Sequence, residues 1–129
     1  MRFFLVFVSV LTLMVKSALF SEEKNLNHYY EIAKQNCHDI SAIRIEMDRI
    51  NNAILQLLTE RTAYVQRAGD LKSRTTKIAD DRQRVADQEK KITDKSNQLG
   101  LPLEVSLPSF RAIVENSILY QQNYINRLP

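Results

Sequence analysis

Residues 40–72 read ISAIRIEMDRINNAILQLLTERTAYVQRAGDLK. Ile40, Ile43, Met47, Ile50, Ile54, Leu57, Arg61, Tyr64, Ala68 and Leu71 follow at steps of three and four, which keeps them on one side of an α-helix. The stripe runs for more than four heptads, and Arg61 is the one charge in it. Asp39 or Ser41 is expected to cap the start. A helix over 39–72 would be roughly 50 Å long at 1.5 Å per residue. A chain of 129 residues offers too little partner surface for such a stripe. A second copy is the simplest cover, so the stretch predicts a helical dimer.

The rest of the chain agrees with an all-α fold. Glycine occurs only at 69 and 100, and proline only at 102, 108 and 129, too few turn signals for a β protein. Residues 73–78 break the pattern and read as a loop. A second helix is expected over about 79–98, thinly apolar, with Ile78, Val85, Ile92 and Leu99 at sevens. Gly100 followed by Pro102 marks its end. A third helix is expected over about 105–127, with Phe110, Ile113, Ser117, Tyr120 or Gln121, and Tyr124 turned inward. In that placement Pro108 falls in the first turn, where a missing N–H is tolerated.

The first 21 residues read as a separate unit. Met1-Arg2 is a positive start, and Phe3 to Val15 is an apolar run of 13 residues without charge. That is short of the roughly 20 residues a membrane-spanning helix needs, and it fits a secretory signal peptide better than an anchor. Lys16 disfavours a cut after Ala18, whereas a cut after Ser21 leaves Leu19 at the −3 position. The expected product is periplasmic or secreted, with no stable membrane association. Residues 22–38 form a polar lead-in and residues 39–129 the functional domain. The chain holds 18 basic and 15 acidic residues, and Arg2 and Lys16 would leave with the leader, so the remainder has a net charge of about +1. Neither that balance nor any basic patch points to nucleic acid. Cys37 is the single cysteine, so neither an internal disulfide nor a zinc site is expected, and His28 and His38 do not complete a ligand set. No metal or cofactor is called for.

Function is carried by polar residues at apolar positions. Lys72 lies 11 residues after Arg61, about three turns on, so both project from one face. Asp81, Arg84 and Gln88 stand at i, i+3 and i+7 of the second helix, and Ser117 and Gln121 at i and i+4 of the third. Each has a plainer reading alone: Arg61 reaching out from the helix edge, Arg84 on a solvated face, Ser117 filling space. Together they describe a pocket with several cations, neutral hydrogen-bonding groups and one carboxylate, suited to a small dianion, because buried cations are costly without a counter-charge.

The same residues carry a resemblance. Ile43-Arg44-x3-Asp48-x-Ile50, Leu57-Leu58-x-Glu60-Arg61, Ala68-Gly69-x2-Lys72, Asp81-x2-Arg84-Val85 and Phe110-x2-Ile113-x-Glu115-x-Ser117-x3-Gln121 occur in order over about residues 40–125. In order and spacing the chain resembles the all-helical (AroQ-type) chorismate mutase family. The resemblance implies three helices per subunit, an intertwined homodimer, and a cofactor-free pericyclic rearrangement of chorismate to prephenate. It implies that Arg61 and the partner subunit's Arg44 bind the two carboxylates. Lys72 and Gln121 would face the ether oxygen, and Arg84, Asp81 and Ser117 would complete the wall. Val85 departs from the pattern, since many members have a glutamate there that contacts the ring hydroxyl. Either Gln88 supplies that contact, or the chain resembles the related isochorismate pyruvate-lyases, which have valine at this position. A catalytically inactive helical dimer acting as a binding module is the third alternative.

Mass spectrometry of the exported protein is expected to show an N-terminus at or near Glu22. An intact Met1 on exported material would overturn the signal-peptide reading.

Overall fold

The computed structural model describes residues 23–75 and 78–129, so the expected signal peptide and residues 76–77 lie outside it. The described residues form four helices and no strand: α1 (Leu26–Asn36), α2 (Ile40–Ser73), α3 (Arg82–Leu99) and α4 (Leu103–Ile125). The lead-in is thus itself helical, started by the Asn25 side chain, which accepts the His28 N–H. None of these helices is long and apolar enough to cross a membrane.

Of the two candidate caps for the long helix, Asp39 serves: its carboxylate accepts the Ala42 N–H at 2.8 Å. The second helix begins at Arg82 rather than near 79, because Asp81 takes the capping position in an extended conformation and accepts the Arg84 N–H at 3.0 Å. Asp81 is therefore the cap of α3, not a member of its helical face. Gly100 sits just past α3 at φ 65°, the left-handed conformation that glycine adopts without penalty. The Leu101 N–H then closes back on the Ser96 carbonyl at 2.9 Å. The last helix starts at Leu103, two residues earlier than the pattern indicates, so Pro108 stands in its second turn. Proline there leaves the Glu104 carbonyl without its helical donor, and Glu104 is exposed, where water can take that place.

Cross-helix contacts fix the topology. Arg61 meets Ser117, Val65 meets Gln121, and Asp70 meets Tyr124, so α2 and α4 run parallel. Arg82 meets Glu115, Arg111 meets Glu89, and Ser96 meets Ser106, so α3 and α4 are antiparallel. Ser96 and Ser106 are buried and mutually satisfied: Ser96 donates to the Ile92 carbonyl at 2.7 Å, and the two hydroxyls lie 2.8 Å apart. The Arg111 guanidinium holds the Glu89 carboxyl below its ordinary range. That contact's contribution to stability is present above the ordinary carboxylate pKa and is lost as the pH falls through the lowered one.

The stripe on α2 is not covered within one chain. Ile40 is 64% exposed, Leu57 65% and Tyr64 71%. Among the described residues only Ala79 and Ile125 are buried hydrophobics. On α4, Gln121 rather than Tyr120 is the residue turned inward, and Ile113, Ser117 and Tyr124 are half-buried, but Phe110 is exposed, contrary to the inward placement expected of it.

Gly69 permits the close crossing of α2 and α4. A Cβ there would lie 3.0 Å from the Tyr124 ring and 3.3 Å from Gln121 Cγ. Gly69→Ala gains roughly 1 kcal/mol of helix propensity, while overpacking costs about 1–3 kcal/mol. A net loss on the order of 1 kcal/mol is expected, read as a Tm lower by several degrees. A higher Tm would mean that α4 can move away at no cost.

Candidate active site

Between the C-terminal half of α2, the start of α3 and the C-terminal half of α4 lies a cleft of about 350 Å³. Seven of the eight residues expected at the site line it: Arg61, Lys72, Asp81, Arg84, Gln88, Ser117 and Gln121. The eighth, Arg44, is not in the wall. It lies 17 positions before Arg61 on the same helix, about 25 Å along the axis at 1.5 Å per residue.

Each polar side chain is held by a specific partner. Arg61 donates through Nη1 to Ser117 Oγ at 2.6 Å, and Ser117 donates onward to the Ile113 carbonyl at 2.6 Å. The serine is thus a relay that anchors one edge of the guanidinium and leaves its other N–H groups free. Gln121 donates through Nε2 to the Val65 carbonyl at 2.6 Å and accepts from Lys72 Nζ through Oε1 at 3.1 Å. The amide has one orientation open to it, because a carbonyl can only accept and an ammonium can only donate. Lys72 also donates to the Ala79 carbonyl at 2.8 Å. An ammonium has three protons, so two are engaged by neutral oxygens and the third remains for the cleft.

The electrostatic pattern is uneven. Arg82 is ion-paired with Asp80 and Glu115, and Arg111 with Glu89. Among the described residues, Arg44, Arg61, Lys72 and Arg84 have no carboxylate partner. Asp81 is the one acidic residue of the wall, and the α3 cap occupies its carboxylate. The first turn of α3 borders the cleft and adds the positive end of its dipole. Val65, Ala68, Val85, Val114 and Ile118 supply apolar walls. A small, flat molecule bearing two anionic groups fits this mixture, with apolar contact across its face and cations at its ends.

Sequence pattern alone missed the connector. Ala79, read as the start of a helix, lies outside any helix, is 3% exposed and forms part of the wall. Its N–H is donated to Gln122 Oε1 at 3.0 Å. Periodicity carries no signal for a backbone carbonyl that acts as a ligand to a lysine.

The chorismate mutase type II family model matches residues 43–122. The chain belongs to that family. The match spans α2, α3 and nearly all of α4, and so takes in every side chain of the cleft, whereas α1 falls outside it. No curated protein and no solved structure matches the chain. Family membership supports chorismate mutase chemistry at the family level.

Replacing Arg61 or Lys72 by alanine removes a cation together with the aliphatic stem that carries it. Circular dichroism is expected to be unchanged for both, while affinity for a small dicarboxylate falls about tenfold to a hundredfold, the worth of one hydrogen bond to a charged group. Loss of helical signal in Arg61→Ala would instead make the arginine a structural element.

Proposed function

We propose that the protein is an exported chorismate mutase that converts chorismate to prephenate as a homodimer. The observation that carries this reading is the set of unpaired cations, Arg61, Lys72 and Arg84, gathered in one cleft of a chain from this family. The rearrangement breaks the C–O bond of an enol ether and forms a C–C bond in one concerted step. It needs neither nucleophile nor proton transfer. What remains for a protein to do is to hold the chair-like conformer and to stabilise the negative charge that grows on the ether oxygen.

The roles proposed are those the family resemblance implies, and the contacts within the cleft support them. Arg61, braced by Ser117, takes one carboxylate, for which its planar fork can be bidentate. Lys72 turns its third proton to the ether oxygen, and the second N–H of Gln121 approaches the same atom. Arg84 takes part in the second carboxylate's binding, completed by the partner subunit's Arg44. The long distance of Arg44 from Arg61 along α2 supports supply across an interface. So does the exposed apolar stripe on the same helix, together with the near absence of buried hydrophobics among the described residues. A cleft that excludes water once filled strengthens each of these interactions.

Val85 favours weighing a second reading. It lies in the cleft wall, where many family members have glutamate, and it cannot reach a ring hydroxyl by hydrogen bond. Gln88 lines the same wall one turn further along α3, next to Arg84 on the helix surface. We assign the ring hydroxyl to Gln88. An isochorismate pyruvate-lyase is the alternative, and a binding module without turnover is the third.

Purified protein given chorismate and isochorismate in parallel, with products identified, separates the three. Prephenate from chorismate is expected. Pyruvate from isochorismate with little prephenate would establish the lyase, and no product from either would establish the binding module. Gln88→Ala is expected to lower kcat/KM for chorismate by about three- to tenfold, the worth of a neutral hydrogen bond. An unchanged value would remove Gln88 from the hydroxyl. Val85→Glu is expected to help little, since it adds an anion beside a dianionic substrate.

A further inference from the structure

We infer that Gln122 is a positioning residue for Lys72, acting through the backbone of Ala79. The inference deepens the proposed function and rests on Lys72 being the donor to the ether oxygen. Ala79 sits in the connector between α2 and α3, and both polar groups of this residue's backbone are engaged. Its carbonyl accepts from Lys72 Nζ at 2.8 Å, and its N–H is donated to Gln122 Oε1 at 3.0 Å. Gln122 is in turn oriented from its other end, donating through Nε2 to Asn126 Oδ1 at 3.0 Å. An N–H can only donate, so the amide oxygen must face Ala79 and the amide nitrogen must face Asn126.

The consequence is a short chain of fixed groups: Asn126 sets Gln122, Gln122 sets Ala79, and the Ala79 carbonyl sets the ammonium of Lys72. Gln121, the neighbour of Gln122 on α4, holds the same ammonium directly at 3.1 Å. Two successive residues of one helix thus govern one lysine by different routes, one through the side chain and one through the connector. Gln122 is not in the cleft wall, and its link to Lys72 runs through Ala79. Residues 78–81, around this carbonyl, have no regular secondary structure to hold it in place. A lysine stem has four carbons and free rotation, so without a fixed acceptor the ammonium would spread over several positions. A misplacement on the order of 1 Å costs about 10²-fold in rate.

The test uses the full chain with Gln122→Leu, which keeps the bulk and removes the acceptor, and Gln122→Glu, which restores an acceptor oxygen. Three quantities are read: kcat and KM for chorismate, hydrogen exchange of the Ala79 amide by NMR, and Tm. For Gln122→Leu, kcat is expected to fall about ten- to hundredfold with KM within about twofold, and exchange at Ala79 to speed up at least about tenfold. Gln122→Glu is expected to recover the protection and most of kcat. A Gln122→Leu enzyme with kcat within about twofold of the parent overturns the inference. Equal losses in both variants, tracking a lowered Tm, overturn it too, because a purely structural glutamine predicts that. Should Gln122→Leu fail to fold, Gln122→Asn, which draws the oxygen back by one methylene, carries the same comparison. If the parent protein does not turn over chorismate, the proposed function fails by itself. The Ala79 exchange rates, together with the NMR contact between the Lys72 side chain and Ala79, then decide the inference without reference to activity.

Discussion

A cation held only by neutral oxygens is the constraint on which the arrangement turns. The Lys72 ammonium touches a backbone carbonyl and an amide oxygen, and Arg61 touches a hydroxyl. Neutral acceptors hold a charge in place without cancelling it. Nearby carboxylates are otherwise engaged: Glu115 with Arg82 and Glu89 with Arg111, outside the cleft wall, and Asp81, within the wall, with the start of α3. The framework ion pairs therefore do two things at once. They tie α3 to α4, and they keep those anions away from the cleft. Like-charge repulsion among these cations is the cost, and the apolar walls around them limit how far solvent can relieve it.

Much of this was legible in the sequence because it repeats. A stripe interrupted at Arg61, a lysine three turns later, and Ser117 and Gln121 on one face of the last helix are periodic facts, and periodicity is what a sequence displays. The seven cleft residues named from spacing do line one cleft. What was not legible was non-periodic. Asp81 read as part of a helical face, whereas capping geometry takes it out of the helix. The start of α4 shifted because Pro102, with its fixed φ, starts the helix without any side-chain cap, leaving no polar signature before it. Phe110 lies on the spacing of an inward stripe but is exposed, since pattern alone does not say which chain a stripe faces. The Ala79 peptide and Gln122 belong to the same class: their roles come from where a connector passes, not from any recurring residue type.

The parallel course of α2 and α4 also orders events during folding. Ser96 and Ser106 are only 10 residues apart in the chain, so the α3–α4 hairpin closes through a short, local loop. Arg61 and Ser117 are 56 residues apart, and Lys72 and Gln121 are 49 apart. Loop closure over such separations is entropically dearer and slower than forming a hairpin. Loop-closure cost thus favours the hairpin as the earlier structure, and the candidate cleft is complete only when α2 docks alongside α4. Anything that traps the chain at the hairpin stage would leave a well-formed helical protein with no place to bind its substrate.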